Sequence, residues 1–439
     1  MKRRSFFPAS AGAAALLTGT RGYAQKTQKA SAGGTSQGTI GQIGKYTIEQ
    51  IRNQYESDLF EDFIPFHDKY VIDHQSGCYY ANTDNDGSHS NTNTSSSFMG
   101  RGIWCYSFLY NNLAKEDKYL DVAALGVKLI MKHRPTGDNL WPANYTREGE
   151  VVGDGKGAWP SDCYIAEGLA EYSRATGEKQ YWDIARETIL KCRNIYNRPD
   201  FEPESQFPGG RNLWYWMLLM WFGINALKKE NDAELKAMVD RSMDAIMNKH
   251  PNPKFDLMNN YINHDLSRST DPKYSEVAAC GHATESTWMI MYEAVRRNDR
   301  ALFDRIAAIF KRHAIVSKDD VYGGYYNDCT NVDENIWELQ KISWAQAFIL
   351  MNSLYHIEHT GDQWSKDTFS DQYAWAQEKL PLKKYGFALW MEPRDRFATF
   401  TPKSGRKDNY HHPRHLMLNL ASARRMMERG GKVSGVFGG

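Results

Sequence analysis

Two segments of the chain bring together side chains suited to moving protons. The first, Gly281-His282-Ala283-Thr284-Glu285, sets an imidazole and a carboxylate three residues apart at the head of an apolar run from Met289 to Tyr292. On a helix that spacing puts both groups on one face. Gly281 lets the backbone turn sharply into the helix, and the amides of the first turn favour an anionic Glu285 or an anionic ligand nearby. The second segment, Asn409-Tyr410-His411-His412-Pro413-Arg414-His415, gathers three imidazoles, a phenol and a guanidinium. An imidazole ordinarily titrates near pH ~6.5, so these groups suit proton abstraction and return at neutral pH. Taken alone, His282 with Glu285 reads equally well as a core histidine with a capping glutamate. The second segment, and an aromatic content of 13%, which is enough to line a sugar pocket, tip the reading toward a site.

The elements that must carry these groups recur along the chain. A turn rich in Gly, aromatic and Asp/Asn residues leads into a long amphipathic run, which is the signature of a repeated supersecondary unit. Gly77-Cys78-Tyr79-Tyr80 leads to Arg101-Gly102-Ile103-Trp104, and Gly323-Gly324-Tyr325-Tyr326 leads to Lys341-Ile342-Ser343-Trp344. Tyr385-Gly386-Phe387 leads to the His411 segment, with weaker copies around Leu140-Trp141-Pro142 and Gln206-Phe207-Pro208-Gly209. Between the turns the periodicity is helical over 161–175, 213–228, 286–297 and 342–359, with little strand-like alternation. Leu213 to Leu227 is almost wholly apolar, yet shorter than the roughly 20 residues that a membrane span needs, so no membrane insertion is expected. Such runs predict inner helices, and the more polar 178–194 and 298–313 predict outer partners. The expected fold is all-α, an (α/α)6-type toroid of helical hairpins whose rim loops surround a central pocket.

Composition sets the remaining bounds. With 54 basic against 53 acidic side chains the net charge is +1, so no global field draws nucleic acid or anionic lipid. Residues 1–24 read as an export signal of twin-arginine type: Lys2-Arg3-Arg4, an Ala/Leu-rich segment, then Gly22-Tyr23-Ala24 before Gln25. A periplasmic or extracellular mature chain is the expectation. Residues 25–44 read as a flexible linker, 45–425 as the catalytic domain and 426–439 as a flexible tail. The six cysteines show no CxxC spacing, and no His/Asp/Glu/Cys cluster has ligand spacing, so neither a metal nor another cofactor is expected.

Four motifs resemble, in order, those of the N-acylglucosamine 2-epimerase superfamily, which includes the cellobiose 2-epimerases. They are Arg101 with Trp104, Gly281-His282 with Glu285, Lys341 with Trp344, Gln346 and Ala347, and Tyr410-His411 with Arg414. His356 to Asp362 is also similar, and the resemblance spans about residues 45–425. It departs at Phe348, where the family has Glu, and at His412-Pro413, where it has Asn-Gly. The resemblance implies an (α/α)6 barrel and epimerisation beside a sugar carbonyl. His282 and His411 would then remove and return the C2 proton, and Glu285 would fix a tautomer or bind hydroxyls. Arg101 and Arg414 would hold the carbonyl oxygen, and Trp104 and Trp344 would stack on the sugar. Simple core packing is the competing reading of each tryptophan, and a surface or supporting role is expected of His412 and His415.

A second reaction class fits the same residues. A polysaccharide lyase acting on a uronate polymer such as alginate or glucuronan would draw on Arg101, Asn212, His282, Tyr410, His411 and Arg414, with Tyr410 or a histidine protonating the leaving oxygen. Export and Phe348 favour that alternative. A glycoside hydrolase needs two opposed carboxylates, for which Asp162 and Glu285 are the candidates. A non-catalytic glycan-binding protein is the reading outside enzymes. In every case the partner is a mono- or oligosaccharide or a uronate polymer, and the sequence leaves the oligomeric state open.

Overall fold

Cap chemistry written in the sequence sets where the helices turn. The computed structural model describes residues 38–202, 207, 209–382, 390–403 and 408–438. The helices are α1 (Ile48–Ser57), running through a π-helical turn (Asp58–Phe63) into α2 (Ile64–Tyr70), α3 (Ser96–Asn112), α4 (Asp117–Met131), α5 (Trp159–Thr176), α6 (Lys179–Tyr196) and α7 (Leu213–Ala226). They continue as α8 (Ala233–Asp244), the short α9 (Pro272–Ser275), α10 (Cys280–Arg297), α11 (Arg300–Ser317), α12 (Ser343–Thr360), α13 (Gln363–Lys379) and α14 (His411–Glu428). Helix α12 stops because Gly361 takes the left-handed conformation, at φ 69°, and Asp362 at once caps α13 by accepting the Ser365 N–H at 2.9 Å. Asn298, at φ 52°, and Asp299 do the same between α10 and α11.

These tight turns and the longer loops lie at opposite rims. Helices α3, α5, α7, α10, α12 and α14 pack each on the next, and α14 packs back on α3, which closes an inner ring. Outside it α4, α6, α8, α11 and α13 pair with the inner helix that precedes each of them, while α1 pairs with α14. The result is the (α/α) toroid. Burial follows the expected division: α7 buries nearly every residue, whereas the outer α6 buries only one stripe. No helix among the described residues is long and apolar enough to cross a membrane. The long loops that lead into inner helices are tied together by antiparallel strands only two to four residues long: Thr94–Ser95 with Asn144–Tyr145, Gly210–Asn212 with Tyr261–Asn263, and Ala278–Ala279 with Asp328–Asn331. The helical reading of the sequence does not include them, because so few residues carry no alternation to detect.

The ends of the chain differ from expectation. Residues 38–44, assigned above to the linker, belong to the fold. Ile40 and Ile43 are 1% and 0% exposed, the Ile40 N–H donates to the Gly431 carbonyl at 2.7 Å, and the Val433 N–H donates to the Gly38 carbonyl at 3.1 Å. The expected tail from 426 is packed as well: Met426 is buried, the Ser434 N–H donates to the Glu358 carbonyl at 3.0 Å, and Phe437 lies 4.9 Å from Phe303. The two ends clasp each other where the first outer helix meets the last inner one. The export signal over 1–24 and the linker up to residue 37 lie outside the described residues.

Candidate active site

Every inner helix begins at the rim of long loops, so residues in the first turns of α3, α5, α7, α10, α12 and α14 converge there. His282, in the first turn of α10, stacks between two indoles: Trp344 at 5.1 Å and 18°, and Trp214 at 6.3 Å and 20°. Gly281 permits this approach, since a Cβ there would fall 2.0 Å from the Asn327 amide oxygen and 2.9 Å from the Trp344 ring. His411, the first residue of α14, meets the same Trp344 at 5.9 Å and Phe348 at 6.1 Å. Two imidazoles far apart in sequence thus share one indole.

Their electrostatic settings differ. Burial pushes His282 down to about 4, with His411 adding to the effect and Glu285 opposing it. It is therefore a neutral base at pH 7. His411 is also lowered by burial, but Asp408 pulls it back, with its carboxylate 3.2 Å from Nδ1. The other Asp408 oxygen accepts the His412 N–H at 2.7 Å, which fixes the carboxylate at the start of α14. With Nδ1 held by Asp408, Nε2 is the nitrogen left for a ligand.

Beneath the histidines lies a charged floor. Arg414, 1% exposed, forms an ion pair with the buried Glu285, and its guanidinium stands 4.3 Å from the Tyr410 ring, 5.1 Å from Trp288 and 5.6 Å from Phe348. Arg101 stands 4.0 Å over Tyr164 and 5.3 Å over Tyr410. The Nε–H groups of both arginines are buried without an acceptor among the described residues. A buried donor left unpaired is costly, and an oxygen-rich ligand would satisfy both. The Tyr410 O–H donates to Glu167 at 2.6 Å. Outward, a cavity of about 510 Å³ opens between Trp344, His411, Asp408, Glu392, Arg394 and Gln340. Glu392 also caps α12 by accepting the Ser343 N–H at 3.1 Å. No cluster of three His, Cys, Asp or Glu suited to a metal ion occurs among the described residues.

Of the residues picked from the sequence, His282, Glu285, Trp344, Tyr410, His411, Arg414 and Arg101 come together. Others take different places. Trp104 is 1% exposed, stacked on Phe108 at 5.0 Å and edge-on to Tyr410 at 5.3 Å, so it supports the floor and offers no open face to a sugar. Asn212 caps α7 through the Trp214 N–H at 3.0 Å, which accounts for its type without a bound ligand. Asp162, 0% exposed, accepts the Trp141 N–H at 3.0 Å and lies 3.4 Å from Lys191, so it is no open partner for Glu285. Neither His412 nor His415 is at the surface. His412 stacks on Trp390 at 4.8 Å, and His415 is hydrogen-bonded to the Tyr55 hydroxyl at 2.9 Å, with burial pushing it down to about 3. Lys341 is a buried strut paired with Asp319 at 3.0 Å. Sequence reading missed Glu167, Asp408, Trp214 and Glu392. Two of these carried a signal: Glu167 is an acid within an apolar helix, and Asp408 occupies a capping position ahead of the histidines.

Among solved structures, this toroid is similar in fold to several sugar epimerases and isomerases. Cellobiose 2-epimerase from Bacillus thermoamylovorans superposes with a TM-score of 0.74 at 16% identity, covering 85% of this chain and 99% of that one. A sugar epimerase from a ruminal bacterium gives 0.71 at 16% identity, covering 87% and 99%. D-mannose isomerase gives 0.71 at 12% identity, covering 85% and 98%. At such identities these likenesses establish the fold. No curated protein matches the sequence. The family model for N-acylglucosamine 2-epimerase (GlcNAc 2-epimerase) matches residues 77–413, a span that runs from the loop before α3 through the first turn of α14 and takes in both histidines of the site. By that match the chain belongs to the N-acylglucosamine 2-epimerase family.

Proposed function

We propose that the protein is a sugar 2-epimerase acting on the open-chain form of a reducing mono- or oligosaccharide. The observation that carries this reading is the pair of imidazoles set against Trp344, one plainly neutral and the other backed by a carboxylate. His282 takes the C2 proton and becomes imidazolium, and the electron pair moves into the C1 carbonyl to give an enediolate. The Nε–H groups of Arg101 and Arg414 lie buried below, without an acceptor among the described residues, and these guanidinium groups stabilise the negative oxygen. Burial lowers His411 and Asp408 opposes that; in the imidazolium form that Asp408 stabilises, His411 returns a proton to the opposite face of C2, and both imidazoles then re-equilibrate with water. Glu285 keeps Arg414 in place, and Trp344 supplies an apolar face for the sugar.

The test is deuterium uptake. Reducing sugars incubated with the protein in D2O should gain deuterium at C2 and yield the C2 epimer. The β-elimination alternative has Phe348 in its favour and predicts instead a new C4=C5 double bond from uronate polymers, visible by absorbance; that product without C2 exchange would overturn the epimerase reading. The basic start of the chain, Lys2-Arg3-Arg4, supports action in the periplasm or outside the cell. Cell fractionation that recovered the protein only from the cytoplasm would count against that location.

A further inference from the structure

The proton transfers above make no use of a carboxyl group that sits on the floor of the site. Glu167, on α5, is 7% exposed and accepts the Tyr410 O–H at 2.6 Å. The Tyr410 ring underlies both guanidinium groups, Arg414 at 4.3 Å and Arg101 at 5.3 Å. Trp104 and Tyr164 each meet it edge-on at 5.3 Å, and the His411 ring is 5.5 Å away. The ring contacts fix its plane, and the hydrogen bond to Glu167 fixes how deep it sits. Position 348 offers no carboxylate to Arg414, because Phe348 packs there at 5.6 Å. Asp408 acts on Arg101, Glu285 is already ion-paired with Arg414, and Glu167 is the further carboxyl group that both guanidinium groups feel.

We infer that Glu167 is a positioning residue for the reaction, holding Tyr410 as the platform on which Arg101 and Arg414 present their N–H groups to the substrate oxygen. The inference rests on the epimerase reading. Glu167 faces Tyr410 just ahead of α14, Arg414 on α14, Arg101 from α3 and Trp221 from α7, with Arg174 and Cys163 on its own helix. Burial pushes its carboxyl up to about 7 against the pull of Tyr410, Arg414, Trp221 and Arg101, so the charge that meets the phenol changes near neutral pH.

Three variants of the full chain test this. Glu167→Leu and Tyr410→Phe should each lower kcat for C2 exchange by roughly tenfold to a hundredfold, the cost of small misplacements at a site, with less change in KM. The double variant should lose little more than the worse single one. Glu167→Gln keeps an acceptor for the phenol and should recover much of kcat, while losing the inflexion near neutral pH that Glu167 gives the wild type. Infrared difference spectra supply a readout independent of turnover: a carboxylic acid band should titrate near neutral pH, vanish in Glu167→Gln and shift to higher pH in Tyr410→Phe, because the phenol stabilises the carboxylate. Folded Glu167→Leu and Tyr410→Phe proteins with wild-type kcat and pH profile would overturn the proposal, as would a Glu167 band unmoved by Tyr410→Phe. Wild-type protein that exchanges no sugar proton would overturn the epimerase reading, and the infrared titration would then still decide the link between Glu167 and Tyr410.

Discussion

Replacing Asp408 by Asn should separate the two histidines by role. The amide oxygen of Asn keeps an acceptor for the His412 N–H, now met at 2.7 Å, so the start of α14 is preserved while the charge is lost. That charge lies 3.2 Å from His411 Nδ1, with the two side chains 16% and 20% exposed. Coulomb's law at an effective dielectric of ~20 gives about 5 kcal/mol for such a pair. Arg101, which also acts on this carboxylate, and water at the mouth of the cavity reduce the effect to roughly half, about 2.5 kcal/mol. Asp408 favours the imidazolium, so its removal lowers His411 further, and less of the proton-donating form exists at any pH above the new value. The limb of the kcat profile that reports His411 should move to lower pH. At neutral pH kcat should fall on the order of fiftyfold to a hundredfold, and the gap should narrow as the solution is acidified. C2–deuterium exchange followed by proton NMR across the pH range measures both effects. An Asp408→Asn enzyme with wild-type kcat at every pH, or a limb displaced upward, would refute the assignment of His411 as the carboxylate-backed acid.

His282→Ala and His411→Ala should each lose at least about a hundredfold in kcat with the helical circular dichroism unchanged, and the double variant should lose far less than the product of the two. His415→Ala should instead cost about 3 kcal/mol in urea unfolding, the order seen for emptying an aromatic-sized core site, while the folded fraction keeps its kcat. A chain beginning at Gly38 should match the stability of the longer protein. One beginning at Lys45 lacks the buried Ile40 and Ile43 and should be less stable by about 3 kcal/mol or more by the same measurement. Chelators should leave turnover unchanged, and loss of activity that a divalent ion restores would show a metal requirement.

The toroid was legible because its two helix types are written differently. Leu213 to Ala226 is apolar on all sides, which only an inner helix can be, whereas Lys179 to Tyr196 carries one apolar stripe. The clasp at the chain ends was not legible. Ile40 and Ile43 stand among Gly, Thr and Gln, a linker composition, and they are held where ring closure brings residues 431–433 and Lys366 of α13 beside this segment. The same limit applies to Trp104, which motif spacing marked as a ligand contact and which the packing of neighbouring helices makes a supporting face, whereas the role of Asn212 is local, a cap on the helix that follows it.

The carboxylates explain why the site itself was half legible. An acid inside an apolar inner helix is a readable signal, but this chain has two populations of them. Glu285 and Glu167 lie toward the rim of long loops or at mid-height. Glu171, Glu293 and Glu358 lie in the last turns, where Arg174, Arg296 with Arg297, and Arg425 with Arg429 neutralise them at the opposite rim. Since a helix rises ~1.5 Å per residue, distance from the helix start becomes depth in the barrel, and depth separates the acids that serve the site from those that pair with arginines at the opposite rim. Depth alone does not suffice. Arg414 and His415 are adjacent, yet a step of about 100° around the helix turns one toward Glu285 on the barrel axis and the other toward Tyr55 on α1. Both coordinates, depth along an inner helix and direction around it, require knowing which helices are neighbours, and the chain settles that only when α14 packs on α3.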